Sequence, residues 1–187
     1  MIVNISVGIS MEKQLFDYDD SDLQSVVDYS QILLNKKFEQ VIEKYQSTPY
    51  KTYADFQSKT VSDFKDKEIS LRSKGQYGNY IEKYFYGYQP NNDSVADFEK
   101  IGVELKVTPF KVNKNGTISA KERLVLTILN YMEENLDDFY STHLWQKCSK
   151  ILLLFYNGLL DGQTMADYVI KKVFLFEWFE EDMEVIL

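Results

Sequence analysis

The sequence predicts a mixed α/β domain, and three observations carry that prediction. Apolar residues recur at largely helical spacing over about 22–45, short apolar or alternating runs follow after residue 95, and turn signals separate the two kinds of segment. A length of 187 residues suits one domain of ordinary size, and a 44% hydrophobic, 15% aromatic composition supplies a core.

The elements follow in order. "DYDDSD" offers helix-capping residues and acids suited to a helix start, after which Val26, Val27, Leu33, Leu34, Phe38, Val41 and Ile42 mark one helical face to about Tyr45. Thr48 and Pro49 end that unit, and residues 50–70 read equally as loop or short helix. A helix is predicted from about Tyr77 to Tyr86, stopped by Gly87, and "YQPNND" is a turn-rich loop. "VADFEKIGVELKVTPF" supplies two short strands joined at "EKIG", and "NKNG" at 113–116 reads as a hairpin turn. "SAKERLVLTILNY" suits helix or strand, and strand is the preferred reading through "RLVLTI". "KILLLFYNG" reads as a buried strand bounded by Gly158, and "VIKKVFLFEWF" as a strand passing into a helix.

Composition narrows the classes. The longest apolar runs, such as "ILLLF" at 151–155, are too short to cross a bilayer, and the first residues lack a secretory pattern. Met11 is a second possible start, so residues 1–10 read as possible leader. Cys148 is the only cysteine, which excludes an internal disulfide and a cysteine-based zinc site and fits a reducing cytoplasm. A net charge of −8 argues against nucleic-acid binding at first sight. The charge is uneven, however: residues 71–130 carry 9 basic and 6 acidic side chains, while both flanks are acidic.

The chemistry concentrates in Asp97, Glu104 and Lys106. Glu104 and Lys106 are two apart on a strand and share a face, opposite to Val103, Leu105 and Val107. If 96–98 pairs with 103–107, Asp97 comes close to Glu104, and two carboxylates make a hard-oxygen site for Mg²⁺. Lys106 would then meet charge developing on a phosphate. The spacing D-x6-E-x-K is common by chance, and alone it favours a solvated strand edge. Gly78 and Glu82, four apart on the helix, add a close approach and a third carboxylate, although an ordinary exposed Glu explains the pattern as well. Lys74 and Gly75 fit a phosphate contact or a plain turn. The single histidine, His143, argues against a ββα-metal nuclease or a His-ligated zinc site and reads as a packing or surface residue. The aromatics Tyr77, Tyr80, Tyr84, Phe85, Tyr86 and Tyr88 suit core packing better than base stacking.

Taken in order, "KGQYGNYIE", "D-F" at 97–98, "GVELKVTPFKVNKNG" and "KERLVL" resemble the MutH family over roughly Leu71 to Gly158. That family holds a mismatch-repair nicking endonuclease and the Sau-type restriction endonucleases that cut at GATC, and the restriction members resemble this chain more. The resemblance implies a restriction-endonuclease-like PD-(D/E)xK core with a mixed central sheet flanked by helices. It implies Asp97, Glu104 and Glu82 as Mg²⁺ ligands, Lys106 as the catalytic lysine and, through "THLWQK", Lys147 as an auxiliary lysine. Lys74, Lys121 and Arg123 are the DNA contacts it suggests. Ala96 stands where the motif's proline would be, a departure that metal chemistry does not feel.

The expectation is a Mg²⁺-dependent endonuclease acting on double-stranded DNA. Residues 1–70 would be an N-terminal helical segment of one domain and 71–187 its nuclease core. The chain would be the catalytic part of a longer protein with a further C-terminal lobe, or would dimerise on DNA. The rivals are a nicking repair enzyme, a lobe that binds DNA without cutting, and an acidic DNA-mimicking or protein-binding module. The last requires acids spread over a convex face rather than gathered at one sheet edge.

Overall fold

A computed structural model of the chain describes residues 18–38, 40, 76–88, 95–128, 132, 138–157 and 167–178. The fold is mixed α/β, built on a four-stranded sheet. Helix α1 (Leu23–Ser30) comes first, then α2 (Gln76–Ile81). Strands β1 (Val103–Val112) and β2 (Ile118–Ala120) form a hairpin, α3 (His143–Cys148) leads into β3 (Lys150–Asn157), and β4 (Ile170–Glu177) closes the order. In space the strands run β2-β1-β3-β4, with β1 and β3 parallel and the outer pairs antiparallel.

Helix α1 starts where its sequence says it should. The Asp22 carboxylate accepts a hydrogen bond from the Gln24 amide at 3.0 Å, satisfying one of the helix's free N–H groups. The helix is not continuous over the expected stretch, although Phe38 and Gln40 beyond the break are again helical. It tightens into a 3₁₀ turn at Gln31–Leu33 and breaks at Asn35, whose φ of 57° is left-handed. The Asn35 amide donates to Ile170 O at 2.9 Å and the Phe38 amide to Tyr168 O at 3.1 Å. Pairing with the start of β4 therefore overrides helical propensity here. Residues 41–45 lie outside the described residues, as do 50–70.

The turn at "EKIG" lies where expected, but the strand before it is reduced to a single bridge. Phe98 and Val103 form one isolated bridge across a 3₁₀ turn, Glu99–Ile101, and Gly102 takes the left-handed conformation (φ 63°). Only the second strand is a strand. "NKNG" does turn the β1–β2 hairpin, with Gly116 at φ 82°.

"RLVLTI" is not a strand. Residues 123–128 follow β2 without regular structure, and Val125 and Ile128 are exposed. The reason lies across the hairpin. The ladder bonds Asn113 N to Thr117 O and Lys121 N to Pro109 O place hydrogen-bonded pairs at every second residue, so residue 109 should return an N–H to Lys121. Proline has none, and the ladder stops.

The two sheet faces differ in their cover. Val103, Leu105, Leu152 and Leu154 pack with Val26, Tyr29, Leu33, Ile81, Phe85 and Tyr86 into the main core. The aromatic run of α2 is therefore mostly core, as its density suggests: Tyr77, Phe85 and Tyr86 are buried, and Tyr80 and Tyr88 pack against them. On the other face Ile151 and Leu153 pack with Cys148, Leu144, Phe155 and Phe176. The "KILLLF" strand is buried as expected. β4 confirms the strand half of "VIKKVFLFEWF", while any helix after it falls outside the described residues. Among the described residues no helix is long and apolar enough to cross a membrane.

Candidate active site

Among the described residues no strand pairs with the first half of β1 on the side away from β3, where Pro109 ends the ladder, and the acidic groups gather along that edge. Odd-numbered residues of β1 direct their amides there, as the Val103–Phe98 and Lys121–Pro109 bonds show. The Leu105 N–H meets Asp97, whose Oδ2 accepts it at 2.8 Å. A carboxylate thus stands where a neighbouring strand's carbonyl would otherwise be.

Glu104 points to the opposite sheet face from Leu105, as strand alternation requires. It is 2% exposed. Lys106 Nζ donates to Glu104 Oε1 at 2.6 Å, so the two charges of "ELK" do share a face and touch. Glu104 Oε2 is buried with no hydrogen-bond partner among the described residues. Lys147 Nζ, from the last turn of α3, stands 3.8 Å from it, within ion-pair range but beyond hydrogen-bond length. Thr142 caps α3 and so fixes the direction from which Lys147 arrives.

Glu82 enters from the other side of the sheet. It opens a turn of π geometry, Glu82–Tyr86, that continues α2 and ends at Gly87 in the left-handed conformation. Its carboxylate leans back along the helix: a methyl group at Gly78 would lie 3.9 Å from both Glu82 Oε1 and Val107 Cβ. Burial, followed by repulsion from Asp97 and Glu104, lifts the Glu82 carboxyl from 4.5 to about 7. Glu104 is also pushed above its ordinary value, first by burial and then by Asp97, with Lys106 opposing.

The structure brings the residues singled out in the sequence close together. Asp97, Glu104, Lys106, Glu82 and Lys147 converge on one edge from a loop, a strand and two helices. Lys121 and Arg123 are exposed on the segment after β2. Lys121 lies opposite Pro109, five residues or about 16 Å of strand from Glu104. Lys74 is outside the described residues. What sequence reading misses is the Leu105 amide on Asp97 and the role of Pro109, although the proline in "VTPF" was a visible signal.

The donor set is hard oxygen, and Glu104 Oε2, its one buried acceptor without a hydrogen bond among the described residues, suits a small divalent cation. Among the described residues no group of three or more His, Cys, Asp or Glu forms a ready-made metal cage. Mg²⁺ does not need one, since it commonly binds through one or two carboxylates and keeps several waters.

Fold and site together define a restriction-endonuclease-like domain with carboxylates and lysines at an open strand edge. Comparison with known proteins narrows this. The family model described as DNA mismatch repair enzyme MutH matches residues 86–187, more than half of the chain, and the chain belongs to that family. It is 37% identical over 130 residues to a protein of Staphylococcus aureus named type II restriction enzyme Sau3AI. That match takes in 68% of this chain but 26% of the relative, so the chain spans about a quarter of the relative's length.

Proposed function

We propose that this domain is the catalytic core of a Mg²⁺-dependent restriction endonuclease that hydrolyses phosphodiester bonds of double-stranded DNA, with GATC as its site. The observation that carries the reading is Glu104: a buried carboxylate bound by Lys106 at 2.6 Å, its other oxygen without a hydrogen bond among the described residues, set beside Asp97. The similarity to a protein named a type II restriction enzyme supports double-strand cutting. The gathering of Glu82, Asp97 and Glu104 at one edge opposes the acidic-mimic reading, which needs dispersed acids.

In this reading Asp97 and Glu104 hold the cation and Glu82 supports it or its water. When bound, Mg²⁺ supplies Lewis-acid stabilisation of charge on the attacking and leaving oxygens. The chain's own groups do the remainder. The Leu105 amide keeps Asp97 pointed at the edge. Lys106 exchanges its hold on Glu104 for the attacking water or the phosphate as negative charge develops. Lys147 offsets the carboxylate charge and helps an anionic backbone approach an acidic protein. Lys74, Lys121 and Arg123 contact phosphates further along the duplex.

Residues 1–70 belong to the same domain as 71–187 in this proposal, because α1 packs into the core shared with β1 and β3. A further lobe, or pairing of two copies on DNA, would supply the rest of the grip. The test is incubation with a GATC-containing plasmid, with and without Mg²⁺, beside Asp97→Ala. Linear product dependent on Mg²⁺ and on Asp97 supports the reading, and open circles alone favour a nicking enzyme. A titration calorimetry trace showing no Mg²⁺ binding, unchanged in Asp97→Ala, would sink it.

A further inference from the structure

The last carbonyls of a helix have no intrahelical partner, and those of the turn after α2 are capped from far away in sequence. The Tyr29 hydroxyl donates to Phe85 O at 2.9 Å, and the Tyr18 hydroxyl to Tyr86 O at 2.8 Å. Ser30 Oγ and the Tyr86 hydroxyl share a further bond of 2.6 Å. The rings stack as well, Tyr18 on Tyr29 at 4.5 Å and Tyr29 on Phe85 at 4.4 Å. All of these groups hold one turn, and the carbonyl on which that turn closes is Glu82's, which accepts from Gly87 N and from Tyr88 N at 3.0 Å.

We propose that Tyr18 and Tyr29 are positioning residues for Glu82: their hydroxyls lock the π turn so that its first carboxylate faces Asp97 and Glu104. A helix end without these caps is free to relax to ordinary α geometry or to fray, and either change moves the Glu82 backbone. The sequence hides this arrangement, because the donors lie 56 and 68 residues from their acceptors. The proposal rests on Glu82 belonging to the hydrolytic site.

The test is the double variant Tyr18→Phe/Tyr29→Phe, which keeps both rings and removes only the hydroxyls. Ile170→Val, a buried change elsewhere in the core, serves as the control for lost stability. Two readouts are compared in the folded proteins: the ¹³C resonance of the Glu82 carboxyl without metal at fixed pH, and Mg²⁺ affinity by titration calorimetry. The proposal expects the resonance to move and the affinity to fall at least threefold in the tyrosine variant, with neither change in Ile170→Val. It is overturned if both readouts stay put, or if Ile170→Val moves them equally. Should the double variant fail to fold, Tyr29→Phe alone is read in the same way. If the native protein binds no Mg²⁺, the metal reading falls, and the carboxyl resonance alone decides the positioning.

Discussion

Asp97 and Leu105 are joined by a hydrogen bond from the Leu105 amide to the Asp97 carboxylate, 2.8 Å long, on the edge of β1 away from β3, where no strand pairs with it among the described residues. One side chain therefore both satisfies an edge amide and presents charge to the site. Asp97→Asn separates the two roles, since its amide oxygen can still accept from Leu105. We expect Asp97→Asn to melt close to the native protein while DNA cleavage drops by about a hundredfold or more. Asp97→Ala should lose activity and in addition about 1 kcal/mol of stability. Thermal melts beside a plasmid assay check both, and equal melting losses in the two variants would contradict the hydrogen-bond role.

Glu82 sets a pH dependence whose sign can be worked out. Its folded carboxyl titrates at about 7 against 4.5 when unperturbed, so between those values the folded state holds the proton more tightly. Stability linked to this group is present below about 4.5 and is lost as pH rises through about 7. Glu82→Gln should therefore stabilise the metal-free protein at pH 8 by about 1 kcal/mol after solvent screening, with no gain at pH 4.5. Added Mg²⁺ should raise the melting temperature of the native protein more than that of the variant. Melts at the two pH values, with and without Mg²⁺, decide it.

Gly78 is less constrained than its place beside β1 suggests. An added methyl would meet Val107 and Glu82 at 3.9 Å, which is ordinary contact. Gly78→Ala should fold normally and gain about 0.5–1 kcal/mol from helix propensity. Gly78→Leu must displace Val107 or the Glu82 carboxylate, so it should lose both stability and cleavage. Denaturant melts of the pair test this, and an Ala variant weaker than glycine would contradict it.

Pro109 ends the β1–β2 ladder, and restoring its N–H should extend it. Pro109→Val should show an exchange-protected amide at residue 109, bonded to the Lys121 carbonyl. Net stability should change by less than about 1 kcal/mol, because the new bond offsets the freer unfolded chain. Random-coil exchange at that amide would refute this account of why "RLVLTI" is not a strand.

These elements show what a sequence can disclose. The Asp22 cap, the Gly87 stop, the "NKNG" turn and the face shared by Glu104 and Lys106 are local, and local rules found them. The premature end of α1 depends on Ile170, and the closure of the turn after α2 on Tyr18 and Tyr29. No window of ten or twenty residues contains both partners. "RLVLTI" failed for a nearer reason: its missing bond lies across the hairpin at Pro109, within reach of a local reading. The Glu104–Lys106 contact was legible because the two lie two positions apart on one strand face, whereas the groups that steady the cluster come from distant segments.

The stitching of α1 to β4 has a kinetic consequence. Asn35 and Lys171, 136 positions apart, are held together by a side-chain hydrogen bond of 3.2 Å beside the Asn35–Ile170 backbone bond. Closing so long a loop costs about 4 kcal/mol of chain entropy before any contact there repays it. Helix α1, which carries Tyr29, should therefore dock late, after the sheet has formed. Trp178, bonded through its indole N–H to Cys148 O at the end of β4, is placed to report the sheet. In stopped-flow refolding its fluorescence should settle before α1 docks and, on the proposed function, before DNA cleavage returns, so that the sheet is complete while the site is still unfinished.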